Sequence, residues 1–341
     1  MPAPSPNSRT RRRQAVLMLV LSTFFWGLSF PLMKTIALVE AGRVPSASGT
    51  FLVAGMLAPR FLLAFAALGI LLVWPRRGRP DNAGPLIRPA EARQGLIVGL
   101  FVAGGMMLQN DGLRFTAAST SAFLTQFYAI TIPLWLAFRH RRAPSLAVWA
   151  SCLLVLAGVA ILGRFDWRHL RLGRGELETL LCALFFMGQI LWLEHPSFAG
   201  NRAIPMTFVM FAVPTAIFTV LGAATAPRLA TLVTLWSSPA WTGFTLLLAF
   251  CCTVAPYLLM NTWQPKITAT EAGLIYCAEP IFGTVLSLFL PAWFSAASGI
   301  AYADERAGYA LFIGGGLILA ANLLIQLRPE SSIEPGGPAA A

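Results

Sequence analysis

The side chains in this sequence best placed to do chemistry lie inside apolar stretches, and the sharpest of them is Glu279, followed directly by Pro280. A carboxylate in the middle of a hydrophobic helix costs about 2.5–3.5 kcal/mol on insertion scales, so it is retained for a task or neutralised by a partner. The task would be proton exchange, and the neutralising partner would be Lys34 or Arg60. Arg60, beside Pro59, presents a fork that fits a substrate carboxylate through two parallel hydrogen bonds, or else forms an ion pair. Lys34 reads as a side chain that reaches out to the membrane interface.

Three polar stripes have helical spacing: Ser121, Thr125 and Tyr128; Tyr257, Asn261 and Gln264; and Tyr276, Glu279 and Gly283. Each would line a watery cavity or bond neighbouring helices. Gln189 and Gln109 carry the same two readings. Trp26, Tyr128, Tyr257 and Tyr276 supply aromatic surface for a ligand, whereas Trp192 reads as interfacial. Gly95, Gly99 and Ala103, and Ala310, Gly314, Gly316 and Ala320, are small residues at steps that let helix backbones approach.

The elements that must hold these groups follow from composition. Of 341 residues, 57% are hydrophobic and 11% charged, which excludes an ordinary water-soluble globule. Ten apolar stretches are long enough to read as spans. They run from Ala15 to Leu38, Thr50 to Val73, Gln94 to Gly112, Ser119 to Phe138, Leu146 to Gly163, Gly175 to Leu193, Ile204 to Ala224, Ala240 to Gln264, Glu271 to Leu290 and Ala307 to Leu327. The first follows Arg9, Arg11, Arg12 and Arg13 but is too long for a signal core. The tails, Met1 to Arg9 and Pro329 to Ala341, read as disordered.

The net charge of +11 is spread in short clusters between apolar blocks, a pattern that argues against nucleic acid as a partner. Lys and Arg concentrate in the segments that put both termini on the cytoplasmic side. The loop with Arg164, Arg168, Arg171 and Arg174 runs against that orientation. All five cysteines, Cys152, Cys182, Cys251, Cys252 and Cys277, lie within apolar runs without metal-ligand spacing and read as packing residues. No metal or organic cofactor is implied.

Shifting the chain by 152 residues lays Gly105 to Phe138 over Tyr257 to Leu290. Gln109 then meets Asn261, Arg114 meets Lys266, and Thr116 and Ala117 meet Thr268 and Ala269. The pair Phe24-Phe25-x-Gly27 recurs as Phe185-Phe186-x-Gly188. Five spans per half is an odd number, so the second half enters the bilayer from the opposite face. The expected fold is all-α and integral to the membrane, with ten helices as two inverted five-helix repeats, 1–163 and 164–341, around a midplane site.

The segments WGLSFPLMK from Trp26, QNDGLRFTAASTSAFLTQFYAITIPL from Gln109 and EAGLIYCAEPIFGTVLS from Glu271 resemble the EamA branch of the drug/metabolite transporter superfamily. The resemblance runs from about Ala15 to Leu327. It departs where members carry Gly-Glu after the fourth span of each repeat; this chain has FRHRR at Phe138 and PAWFSAASG at Pro291. The resemblance implies a gradient-linked permease of the cell membrane, an exporter of small metabolites such as amino acids, with proton coupling. The rival reading is a polytopic enzyme acting on lipid or isoprenoid substrates, which needs clustered polar ligands at the membrane face; His140, His169 and His195 lie far apart.

Overall fold

Lipid offers the backbone no hydrogen-bond partners, so an apolar chain of this kind satisfies itself as helix. The computed structural model describes residues 6–45, 47–74, 84–112, 115–116, 118–162, 168 and 173–326, and these contain helices and turns but no strand. Most of the loop between Arg164 and Arg171, the repeat residues Arg114 and Ala117, and the tails lie outside the described residues, apart from the helical start at Pro6 and Arg168.

The first half comprises α1 (Pro6–Arg43), α2 (Gly49–Val73), α3 (Pro89–Gly112), α4 (Ala118–Thr125), α5 (Tyr128–His140) and α6 (Leu146–Leu162). The second comprises α7 (Arg174–Leu193), α8 (Ala203–Thr225), α9 (Leu229–Trp236), α10 (Pro239–Ala249), α11 (Ala255–Trp263), α12 (Ala269–Tyr276), α13 (Glu279–Leu286), α14 (Leu290–Ser298) and α15 (Tyr309–Gln326). Over its described residues, each apolar stretch read from the sequence falls largely on one of these helices or on a run of helices broken by a turn. By length and composition alone, five helical segments suffice to cross a membrane: Thr10–Arg43, Gly49–Val73, Arg174–Leu193, Ala203–Thr225 and Pro239–Lys266. A sixth joins Ala269–Leu286 to Leu290–Ser298 across a 61° bend.

The polar stripes do not lie on unbroken helices, which corrects the sequence reading. The first breaks at Gln126 and Phe127, whose N–H groups donate to the carbonyls of Phe123 (3.1 Å) and Leu124 (3.2 Å), a tightened turn. The third breaks at Cys277 and Ala278, where Ala278 N–H donates to Ile275 at 3.0 Å. Pro280 lacks an N–H and its ring crowds the carbonyl four residues back, which accounts for this second break. No proline stands at the matching place in α5, Ala129. The middle stripe leaves regular helix at Gln264, in a 3-10 turn of Gln264–Lys266. The breaks also revise the register. α4 superimposes in chain position on α12, and the start of α5 on the start of α13, at a shift of 151 residues rather than 152.

Packing pairs helices across the halves. α2 lies on α8 and α6 on α15, while α3 packs on α7 as α10 and α11 pack on α1. Likewise α4 and α5 pack on α7 as α12 and α13 pack on α1. Small residues permit these approaches. A Cβ on Gly95 or Gly99 would stand 2.5 or 2.6 Å from carbonyl oxygens of Met206 and Met210 on α8. One on Gly158 would meet the Gly314 carbonyl oxygen at 2.7 Å, and one on Gly314 the Gly158 carbonyl oxygen at 2.6 Å. Gly314→Ala is therefore expected to force α6 and α15 apart, at a cost of about 1–3 kcal/mol for overpacking. Its melting temperature in detergent should fall below wild type; an unchanged value would contradict this packing.

Candidate functional site

Gly27 brings α1 against α13, since a Cβ there would stand 2.6 Å from Phe282 Cβ and 2.8 Å from the Gly283 nitrogen. This close approach sets Trp26 between two tyrosines. Its ring meets Tyr257 of α11 edge-on at 5.6 Å and Tyr276 of α12 at 5.3 Å between centroids. The Tyr276 hydroxyl donates to Gln264 Oε1 (2.9 Å), and Gln264 Nε2 donates to the Ile190 carbonyl (2.8 Å). The tyrosine is thus tied through a buried amide to α7. Among the described residues Trp26 Nε1 is buried with no hydrogen-bond partner, an open donor at the centre of the aromatic group.

Glu279 begins α13 close to that group. Its side chain is half-buried. It interacts electrostatically with Arg60 of α2, Tyr128 of α5, Cys182 of α7 and Tyr257 of α11, so helices from both halves converge on one carboxylate. Among the described residues it forms no ion pair with either partner considered from the sequence. Lys34 is exposed, and Arg60 is engaged elsewhere.

Arg60 is 1% exposed. Its Nε donates to Thr253 Oγ1 at 2.6 Å and its Nη2 to the Cys252 carbonyl at 2.9 Å. Both acceptors lie on the π-helical turn Phe250–Val254 that joins α10 to α11. A π turn shifts the helix ladder and leaves backbone groups in need of partners, and the guanidinium meets that need from the other half of the chain. In this conformation its fork points at protein, and no accessible surface remains for a substrate carboxylate.

The remaining sequence candidates divide. Asn261 Nδ2 donates to Thr207 Oγ1 of α8 at 2.8 Å, while its Oδ1 is buried without a partner. Gln189 Nε2 approaches Met260 Sδ at 3.3 Å, and Ser121 and Thr179 hydroxyls lie 3.3 Å apart, so these two side chains join helices. Thr125 returns its hydroxyl to the Ser121 carbonyl (2.9 Å). Tyr128 is buried and hydrogen-bonded to Cys277. Gln109 is half-buried near the end of α3, two residues before Asp111, which pairs with Arg174 at 2.5 Å. Trp192 is half-buried and packs its ring on His195 and Phe198.

Two further carboxylates are buried at the ends of α1. Glu40 accepts the Trp241 indole N–H at 2.9 Å, beside a recess of about 470 Å³ lined by Val39, Arg43, Ser238 and Ser298. Glu271 pairs with Arg12 and also accepts Thr268 N–H at 3.1 Å. Glu40 carries no readable signal in the sequence, because it lies beyond the last apolar run of its span. Glu271 carried a readable signal, Thr268-x-x-Glu271, the pattern of a capping box. Among the described residues no group of three His, Cys, Asp or Glu is placed to hold a metal ion.

Residues 13–164 match the EamA-like transporter family. An uncharacterized transporter of Archaeoglobus fulgidus is 26% identical over 328 residues, covering 93% of this chain and 87% of its own. A protein known from a crystal structure superimposes with a TM-score of 0.64 over 92% of this chain and 97% of its own, at 18% identity, a likeness of fold alone.

Proposed function

We propose, on the premise that this chain belongs through residues 13–164 to the EamA-like transporter family of the drug/metabolite superfamily, that it is a secondary-active exporter. It is a multi-pass membrane transporter. Its cargo in our reading is a small metabolite bearing an amino group, such as an amino acid, exchanged for protons across the cell membrane. The observation that carries this is Glu279. A carboxylate without an ion-pair partner among the described residues, set where helices of both halves meet and coupled to Tyr257, whose ring packs on Trp26 beside Tyr276, has the chemistry to take either a proton or an ammonium group.

Ten crossings in two inverted repeats, 1–163 and 164–341, with both termini cytoplasmic, fit this reading. The reciprocal packing supports it: α1 against α10–α13 is matched by α7 against α3–α5. A two-fold relation of that kind places a shared site between the halves, where rocking exposes it to each side in turn.

The test is flux in reconstituted vesicles with an imposed pH gradient, using a panel of labelled amino acids, amines and organic acids. Saturable, gradient-driven movement of amino-bearing compounds is expected, and Trp26→Ala should raise KM about tenfold, about 1.4 kcal/mol of lost contact. Movement confined to acids without an amino group, or no saturable flux from folded protein, overturns the proposal.

A further inference from the structure

Arg12 and Glu271 are 259 residues apart in the chain, and their meeting joins the beginning of α1 to the second half. Arg12 Nε donates to Glu271 Oε1 at 3.1 Å, and Nη2 pairs with the same oxygen. Oε2 accepts the backbone N–H (3.1 Å) and hydroxyl (3.2 Å) of Thr268, while Glu271 N–H donates to Thr268 Oγ1 at 3.3 Å. Both carboxylate oxygens are satisfied, and Glu271 is 1% exposed. One side chain thus caps α12 and anchors it to α1.

What α12 carries makes that anchorage matter. Eight residues long and buried throughout, it ends at Tyr276 of the aromatic group, and the break at Cys277 and Ala278 leads directly to Glu279. A shift of its first turn is passed as a rigid body to Tyr276, and the break lets α13 stay behind. A related tie stands where α4 meets α7. There the Thr116 hydroxyl donates to Glu176 Oε1, and Glu176 Oε2 accepts Gly173 N–H at 3.0 Å. Thr116 and Thr268 each stand within two residues of the start of their helix, α4 and α12. A carboxylate therefore ties the two halves together near the start of each of these helices, through an ion pair at α12 and a charge-assisted hydrogen bond at α4.

We propose that Glu271, gripped by Arg12, is the positioning residue that holds α12 closed over the central site at the membrane face where α1 begins. Thr116 and Glu176 make the corresponding closure at the opposite face. The inference rests on the transport reading above for its purpose, but its test needs no substrate.

In a protein keeping Cys277 as its one cysteine, an impermeant maleimide is applied from the face where α1 begins. Arg12→Gln removes the ion pair and leaves the capping box in place. Labelling should quicken about tenfold, the shift that about 1.4 kcal/mol of lost closed-state stabilisation gives. Arg12→Cys with Glu271→Cys, bridged by a short bis-maleimide before labelling, should slow Cys277 modification below the unbridged rate. A folded Arg12→Gln protein that labels as wild type does, or a bridged protein that labels as fast as the unbridged one, overturns the proposal. Failure of the flux panel would instead count against the transport reading and leave the labelling result standing.

Discussion

Glu279→Gln is expected to reduce pH-driven flux to background while leaving helical content and membrane insertion intact. The amide keeps the shape of the side chain but exchanges no proton at neutral pH and carries no charge for an ammonium group. Insertion should if anything become easier, because a carboxylate at mid-membrane costs about 2.5–3.5 kcal/mol. Glu40→Gln is the matching control. Glu40 is also buried, but it lies 14 positions after Trp26 in α1 and bonds Trp241 at the far end. At about 1.5 Å per helical residue that is about 21 Å from the aromatic group, too far to touch the same ligand. Gradient-driven flux that survives in Glu279→Gln and is lost in Glu40→Gln would move the proton carrier to the end of α1.

The second large effect is expected at Arg60, on stability. Arg60→Ala removes the donors to Thr253 Oγ1 and the Cys252 carbonyl and leaves space behind in the core between α2 and the π turn. Breaking a buried charged network in this way costs about 3–5 kcal/mol. Arg60→Lys should recover only part of the loss, because one ammonium group cannot reproduce a planar fork aimed at two acceptors. The measurement is thermal unfolding in detergent, with the order wild type, Lys, Ala. An Ala variant that melts with wild type would mean the π turn stands without this clamp.

The two substitutions separate roles that look alike in the sequence. Glu279 and Arg60 are both charges inside apolar stretches, and both are candidates for ligand contact. Their surroundings differ. Glu279 keeps accessible surface and has no ion pair among the described residues, whereas Arg60 is enclosed and spends its fork on the opposite half of the protein. We accordingly propose the exchange chemistry for Glu279 and, for Arg60, the shape of the helix beside it.

Hydropathy by itself determined that this chain lives in lipid and where its helices lie, because the cost of exposing backbone and charge to hydrocarbon acts residue by residue along the chain. It also marked Glu279, Trp26, Tyr257 and Tyr276 as groups out of place in an ordinary lipid-facing helix. The cap at Thr268 and Glu271 was legible too, since it spans only four residues. Pro280 marked the break at Cys277 as well, whereas the tertiary structure alone decided the break at Gln126, the π turn that receives Arg60, and the meeting of Arg12 with Glu271. Those depend on which distant helix supplies the partner for a polar group. Local spacing carries no information about that choice; it is made when the helices pack and each buried donor or acceptor must be satisfied by whatever neighbour arrives.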